Sequence, residues 1–295
     1  MPRLSSLVLK TLAGLGITLP AGGIFGDWSA ATQQAKILPS AINGSDQYGI
    51  SVSISSDGNT AIVGAQGYGY YFGGSGLSGA GAAYIFVRSG STWTEQAKIM
   101  ASDAQGADNF GRSVSISGDG NTAIVGAWQE DTGAAGAGAA YIFTRSGSTW
   151  TQQAKIQASD VQTNDYFGIS VSISSDGNTA ILGAYWEDTG GTDAGAAYIF
   201  VRSGSAWTQQ AKILGSDTSG VDWFGKSVSM SGDGNTAIVG APQEDTGSPD
   251  AGAAYIFVRS GSTWAQQAKI QASDLQLSAE FGISVSISSD GNAAI

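Results

Sequence analysis

Three pairs of carboxylates sit in the same sequence setting. Glu130-Asp131, Glu187-Asp188 and Glu244-Asp245 each follow a Gly-Ala by two residues and precede Thr-Gly. Oxygen-rich corners of this kind suit Ca²⁺, which takes about six to eight oxygen ligands. A single pair gives too few, so loop carbonyls or the nearby Asp103, Asp160 and Asp217 would have to complete each shell. The corresponding place earlier in the chain reads Gln66-Gly67-Tyr68-Gly69 and is expected to hold no ion. The competing role for these acids is to cap turns through side-chain to backbone hydrogen bonds.

Aromatic residues near the same corners do not recur regularly. Trp128, Tyr166, Tyr185, Trp186 and Trp223, with Tyr68, Tyr70, Tyr71 and Phe72, break an otherwise regular pattern. Aromatic faces beside hydrogen-bonding groups suit a saccharide or a protein partner, and Trp128, Tyr185, Trp186, Trp223, Tyr68 and Tyr70 are the candidate ligand-binding residues. Packing between neighbouring loops is the alternative. Trp93, Trp150, Trp207 and Trp264 recur at a fixed step and read as packing residues.

The composition removes several chemistries. The chain has no cysteine and no histidine, which excludes disulfides, Cys/His zinc sites and imidazole acid–base steps. Two carboxylates can hydrolyse glycosides without histidine, but these acids recur by repeat, whereas one active site needs a constellation that departs from it. The reading is therefore non-enzymatic. A net charge of −11 opposes nucleic-acid binding, which needs clustered Lys and Arg. Beyond residue 25 no apolar run approaches the roughly 18 residues of a membrane span. Residues 1–27 differ from the rest, with Arg3 and Lys10 framing an apolar stretch like that of a secretory signal.

The elements that position these residues follow from an internal repeat. Phe110, Phe167, Phe224 and Phe281 are 57 residues apart, as are Asp119, Asp176, Asp233 and Asp290. The first copy, opening at Tyr48-Gly49, is five residues longer. Each copy carries four strand signals and no helical periodicity. In the third copy these are Ser-Val-Ser-Ile-Ser from Ser170, Thr-Ala-Ile-Leu-Gly-Ala from Thr179, Ala-Ala-Tyr-Ile-Phe-Val-Arg from Ala196, and Trp-Thr-Gln-Gln-Ala-Lys-Ile from Trp207. Asp176-Gly177-Asn178 predicts a two-residue type I′ hairpin between the first two. Four short strands cannot bury both faces alone, so copies must pack face to face, as β-propeller blades do. In such a blade the loop between strands 2 and 3 and the connection from strand 4 to the next blade share one end. That end gathers most of the acids and the irregular aromatics.

Phe-Gly, a strand, a second strand ending Gly-Ala (181–184, 238–242), then Gly-Ala-Ala-Tyr-Ile-Phe, resembles the FG-GAP repeat of integrin-α-type propellers in its bacterial surface-protein variant. The resemblance covers residues 28–295. It implies an all-β fold of four-stranded antiparallel blades, of which this chain would be a piece of a seven-bladed ring. Blades would open at Tyr48, Phe110, Phe167 and Phe224, with a partial one from Phe281. It further implies an extracellular or cell-surface adhesion scaffold, with a lectin-like glycan-binding propeller or a carboxylate-based carbohydrate-active enzyme as alternatives. The family's calcium site is a long Asp-rich loop between strands 1 and 2. Here that place holds Ser-Asp-Gly-Asn with one carboxylate, so that site does not carry over.

Overall fold

A computed structural model describes residues 33, 35–69 and 77–295. The chain divides into residues 1–37 and 38–295, and every strand belongs to the second unit. The signal-like leader and Tyr70, Tyr71 and Phe72 lie outside the described residues.

Four sheets of four antiparallel strands follow one another, each a simple meander. Blade 1 contains β1 (Tyr48–Ile54), β2 (Thr60–Ala65), β3 (Ala82–Ser89) and β4 (Thr92–Ile99). Blade 2 contains β5 (Ser113–Ile116), β6 (Thr122–Ala127), β7 (Ala139–Ser146) and β8 (Thr149–Ile156). Blade 3 contains β9 (Ser170–Ile173), β10 (Thr179–Ala184), β11 (Ala196–Ser203) and β12 (Ala206–Ile213). Blade 4 contains β13 (Ser227–Met230), β14 (Thr236–Ala241), β15 (Ala253–Ser260) and β16 (Thr263–Ile270). Residues beyond Phe281 begin the same pattern again, with an isolated bridge between Ile287 and Ala294. No helix occurs among the described residues.

The second strand of each blade is apolar on both faces because it is covered on both. Its alternate side chains enter different cores: Ile124 packs between blades 2 and 3, while Ala123 and Val125 pack between blades 1 and 2. The first strand alternates for a different reason. Its valine and isoleucine fill the core shared with the preceding blade, as Val114 and Ile116 do. Its serines reach the next blade, where Ser53, Ser115 and Ser172 hydroxyls accept hydrogen bonds from the amides of Ile116, Ile173 and Met230. These serines occupy backbone donors that would otherwise lie unpaired along a sheet edge.

Both halves of the repeated Phe-Gly and Gly-Ala signature serve close approach between blades. A Cβ on Gly183 would lie 1.8 Å from the carbonyl oxygen of Gly225, the glycine that opens the next blade. Gly225 itself has φ +91°, a left-handed conformation that glycine adopts without a Cβ clash. The phenylalanine beside it is fully buried, with Phe224 meeting Tyr255 edge-on at 5.4 Å.

Two local features differ from sequence expectation. The hairpin at Asp176-Gly177-Asn178 is not a two-residue type I′ turn: only Gly177 has positive φ, and the loop closes between Ser174 and Thr179. Asp176 Oδ1 accepts hydrogen bonds from the Ser174 hydroxyl and the Asn178 amide, holding a four-residue loop that needs a single left-handed residue. The second is a bulge in the strand 3–4 pairing of every blade. It turns an extra glutamine outward, so that Gln96, Gln153 and Gln210 accept the indole N–H of Trp150, Trp207 and Trp264 from the following blade. The recurring tryptophans are thus inter-blade packing residues.

Candidate functional site

The loop between strands 2 and 3 of each blade clasps the chain entering the next. Gly138 bridges Phe167, and the amides of Asn164, Tyr166 and Phe167 donate to the carbonyls of Ala135, Gly136 and Ala137. This pairing puts the loop acids and the connection acids at one end of the sheets.

There the structure does bring Glu130, Glu187 and Glu244 to Asp103, Asp160 and Asp217, but around a lysine ammonium. Lys212 Nζ donates to Glu187 Oε1 at 2.7 Å, Asp160 Oδ2 at 2.6 Å and Thr189 Oγ1 at 2.6 Å. Lys155 and Lys269 repeat the arrangement one blade before and after. Glu187 is fully buried, so its charge depends on that ammonium. Burial opposes ionisation of Asp160 and Asp217, yet the lysine and the Tyr198 and Tyr255 hydroxyls hold their carboxyls below the usual range. The position expected for calcium is taken by the protein's own cation. Among the described residues no group of three or more acidic side chains is disposed to hold a metal ion.

The second acid of each pair has a separate role. Asp131, Asp188 and Asp245 each accept a backbone amide five residues on, from Gly136, Asp193 and Asp250 at 2.7, 2.9 and 2.8 Å. They are turn formers. Blade 1 confirms the logic by substitution: Tyr68 replaces the glutamate, and Lys98 Nζ lies 3.2 Å from its ring centroid. A cation–π contact takes the place of the ion pair.

A further set of acids was not singled out by spacing. Asp108, Asp165 and Asp222 are buried at 2% exposure each and accept the amides of Gln105, Gln162 and Ser219. Burial first, and the neighbouring Glu130, Glu187 and Glu244 charges second, push their pKa up to about 6. A sequence cue exists in retrospect, since each stands two residues before its blade's Phe-Gly.

The irregular aromatics converge. Trp128 meets Tyr166 at 4.7 Å between ring centroids, and Tyr166 meets Trp186 at 4.7 Å and Tyr185 at 5.8 Å. Tyr185 then meets Trp223 at 5.6 Å, so that one cluster crosses blades 2, 3 and the entry to blade 4. Tyr185 is buried, which pushes its hydroxyl up to about 12, while the three tryptophans are half-buried. Tyr68 belongs to the blade 1 lysine contact, and among the described residues no ring pair joins it to this cluster.

Tyr166 and Trp223 occupy left-handed backbone, at φ 54° and 59°. The equivalent residues are Gln47, Asn109 and Glu280. A bulky aromatic is costly there, where asparagine is tolerated far better. The indole nitrogens of Trp128, Trp186 and Trp223 are buried without a hydrogen-bond partner. Arg112 and Lys226, which spacing did not single out, border the cluster: Lys226 Nζ lies 3.9 Å from the Tyr185 ring centroid, and the Arg112 charge acts on both Tyr185 and Lys226.

The search against curated proteins found no match. Among solved structures the chain is similar to Kuenenia stuttgartiensis hydrazine synthase, with 14% identity and a TM-score of 0.48, covering 80% of this chain and 53% of that one. It is also similar to the Pseudomonas aeruginosa periplasmic gluconolactonase, with 15% identity and a TM-score of 0.48, covering 77% of this chain and 58% of that one. The chain therefore spans little more than half the length of either. The FG-GAP repeat model matches residues 31–86, 93–143, 150–200, 207–257 and 264–295. Those segments take in the interlocked Phe-Gly and Gly-Ala contacts of successive blades, and the chain belongs to the FG-GAP repeat family.

Proposed function

We propose that this chain is a non-enzymatic binding scaffold of the cell surface or extracellular space, which engages a macromolecular ligand through the loop end of its blades. The observation that carries this reading is the convergence of residues that break the repeat. Trp128, Tyr166, Tyr185, Trp186 and Trp223 arise from different copies, yet their rings touch in one corner. Structural positions in a repeat tend toward one residue type. Positions that diverge and still meet in space are those free to serve a ligand. The strain of holding Tyr166 and Trp223 in left-handed backbone points the same way.

The acids fit a scaffold better than a reaction centre, because they recur and are committed to lysines or to turn amides. The location outside the cell is part of this reading and rests on kinship with FG-GAP propellers.

The test is binding of labelled protein to an array of defined saccharides and purified matrix proteins. Wild type is expected to retain at least one class of ligand, with binding lost in Trp186→Ala and kept in Arg202→Ala, a change at the opposite, hairpin end. Retention of nothing, or equal retention by both variants, contradicts the reading.

A further inference from the structure

Two cations in the aromatic corner lack the partners that the other lysines have. The residue after Phe-Gly or Tyr-Gly is isoleucine in three copies, at Ile50, Ile169 and Ile283, but Arg112 and Lys226 in the others. Lys155, Lys212 and Lys269 each hold two carboxylates. Lys226 and Arg112 form no salt bridge and no side-chain hydrogen bond among the described residues. Glu280 acts on Lys226 from a distance, while its carboxylate accepts from Gln243 Nε2 at 3.4 Å. Burial, followed by repulsion from Arg112, lowers the Lys226 pKa, so the two like charges stand close enough to oppose each other. In a chain of net charge −11, placing two cations together without a carboxylate is a marked departure from the surrounding pattern.

The groups around them are donors and apolar faces. Three unpartnered indole N–H groups belong to the same ring cluster. An unpaired buried donor costs about 1–3 kcal/mol, which an acceptor from a ligand would recover. Two cations, three orphan donors and exposed ring edges together complement a molecule that is anionic, rich in oxygen acceptors and apolar on one face.

We propose that this corner binds a carboxylate-bearing saccharide of the uronic or sialic type. The carboxylate pairs with Lys226 and Arg112, ring and hydroxyl oxygens accept from the indole N–H groups, and the sugar's C–H face lies on the aromatic rings. A small inorganic anion would use the charges alone. An acidic peptide would use the charges but brings an amide donor with every residue into a donor-rich corner. This inference deepens the binding-scaffold reading and rests on it.

The experiment titrates tryptophan fluorescence with tetragalacturonate and sialyllactose, against methyl-esterified tetragalacturonate, lactose and polyglutamate. The variant is Arg112→Ile with Lys226→Ile, which installs the residue that three other copies carry and so preserves the fold. At least one acidic saccharide is expected to bind more tightly than its neutral counterpart, with affinity falling by about tenfold or more in the double variant. No preference for acid over neutral sugar, equal affinity in the double variant, or preference for polyglutamate overturns the proposal. If an array ligand needs Trp186 but ignores the double variant, the scaffold reading stands and the acidic-sugar inference falls.

Discussion

Lys212 and Lys98 occupy equivalent positions and face different partners, which makes them a matched pair for measuring what each contact contributes. Lys212→Met strands a buried Glu187 carboxylate, and removal of one partner from a buried ion pair costs about 3–5 kcal/mol. Lys98→Met removes an ammonium from the Tyr68 ring and is expected to cost about 0.5–2 kcal/mol. Urea unfolding of the two variants checks the order. Similar losses would mean that the glutamate finds another partner. The same corner shows what sequence could and could not convey. The recurrence of Glu130, Glu187 and Glu244 was legible, as was their nearness to Asp103, Asp160 and Asp217. That a lysine 25 residues further on would thread between them was not, because it depends on strand 4 lying across strand 3 from the loop.

Asp108, Asp165 and Asp222 set a pH dependence with a definite sign. Their folded pKa is about 6, raised by burial, against about 3.9 in an unfolded chain. Between those values the folded state binds more protons, so stability falls as pH rises through 6. The lysine-paired Asp160 and Asp217 act oppositely, but only as pH drops below the ordinary carboxylate range. With no histidine in the chain, few other groups titrate in the window. Thermal unfolding should give a higher Tm at pH 5 than at pH 7.5, and the Asp108→Asn, Asp165→Asn, Asp222→Asn triple variant should flatten the difference. A Tm that rises from pH 5 to 7.5 would show that these carboxyls are better solvated than their burial indicates.

At the scale of the element, the blade was largely written in the sequence. The alternating Ser-Val-Ser-Ile, the apolar Thr-Ala-Ile-Leu-Gly-Ala and the turn residues between them place β9 and β10 within a residue or two of where they lie. What sequence left open was contact between elements: the serines of the first strand face the next blade, and the bulge glutamine reaches the next blade's tryptophan. The glycine of Gly-Ala belongs to this class. Gly183→Ala places a methyl group against the Gly225 carbonyl and should destabilise by several kcal/mol, whereas Gly204→Ala, whose Cβ would meet nothing, costs only the strain of left-handed backbone, about 1–2 kcal/mol. Equal losses would remove close inter-blade approach as the reason for the motif.

At the scale of the whole molecule, the repeat supplies a rigid row of blades, and departures from it supply individuality. The aromatic list was readable as departures, and so in principle were Arg112 and Lys226, standing where isoleucine is the rule. Their meeting in one corner was not, since it depends on how far each blade turns from the last. The binding role of that corner is the central claim, and hydrogen–deuterium exchange with an array-selected ligand tests it most directly. Protection is expected at the amides around Trp128, Tyr166, Trp186 and Trp223, with the hairpin amides of Gly177 and Gly234 unchanged. Protection at the hairpin end, or along strands without the aromatic corner, would contradict the account.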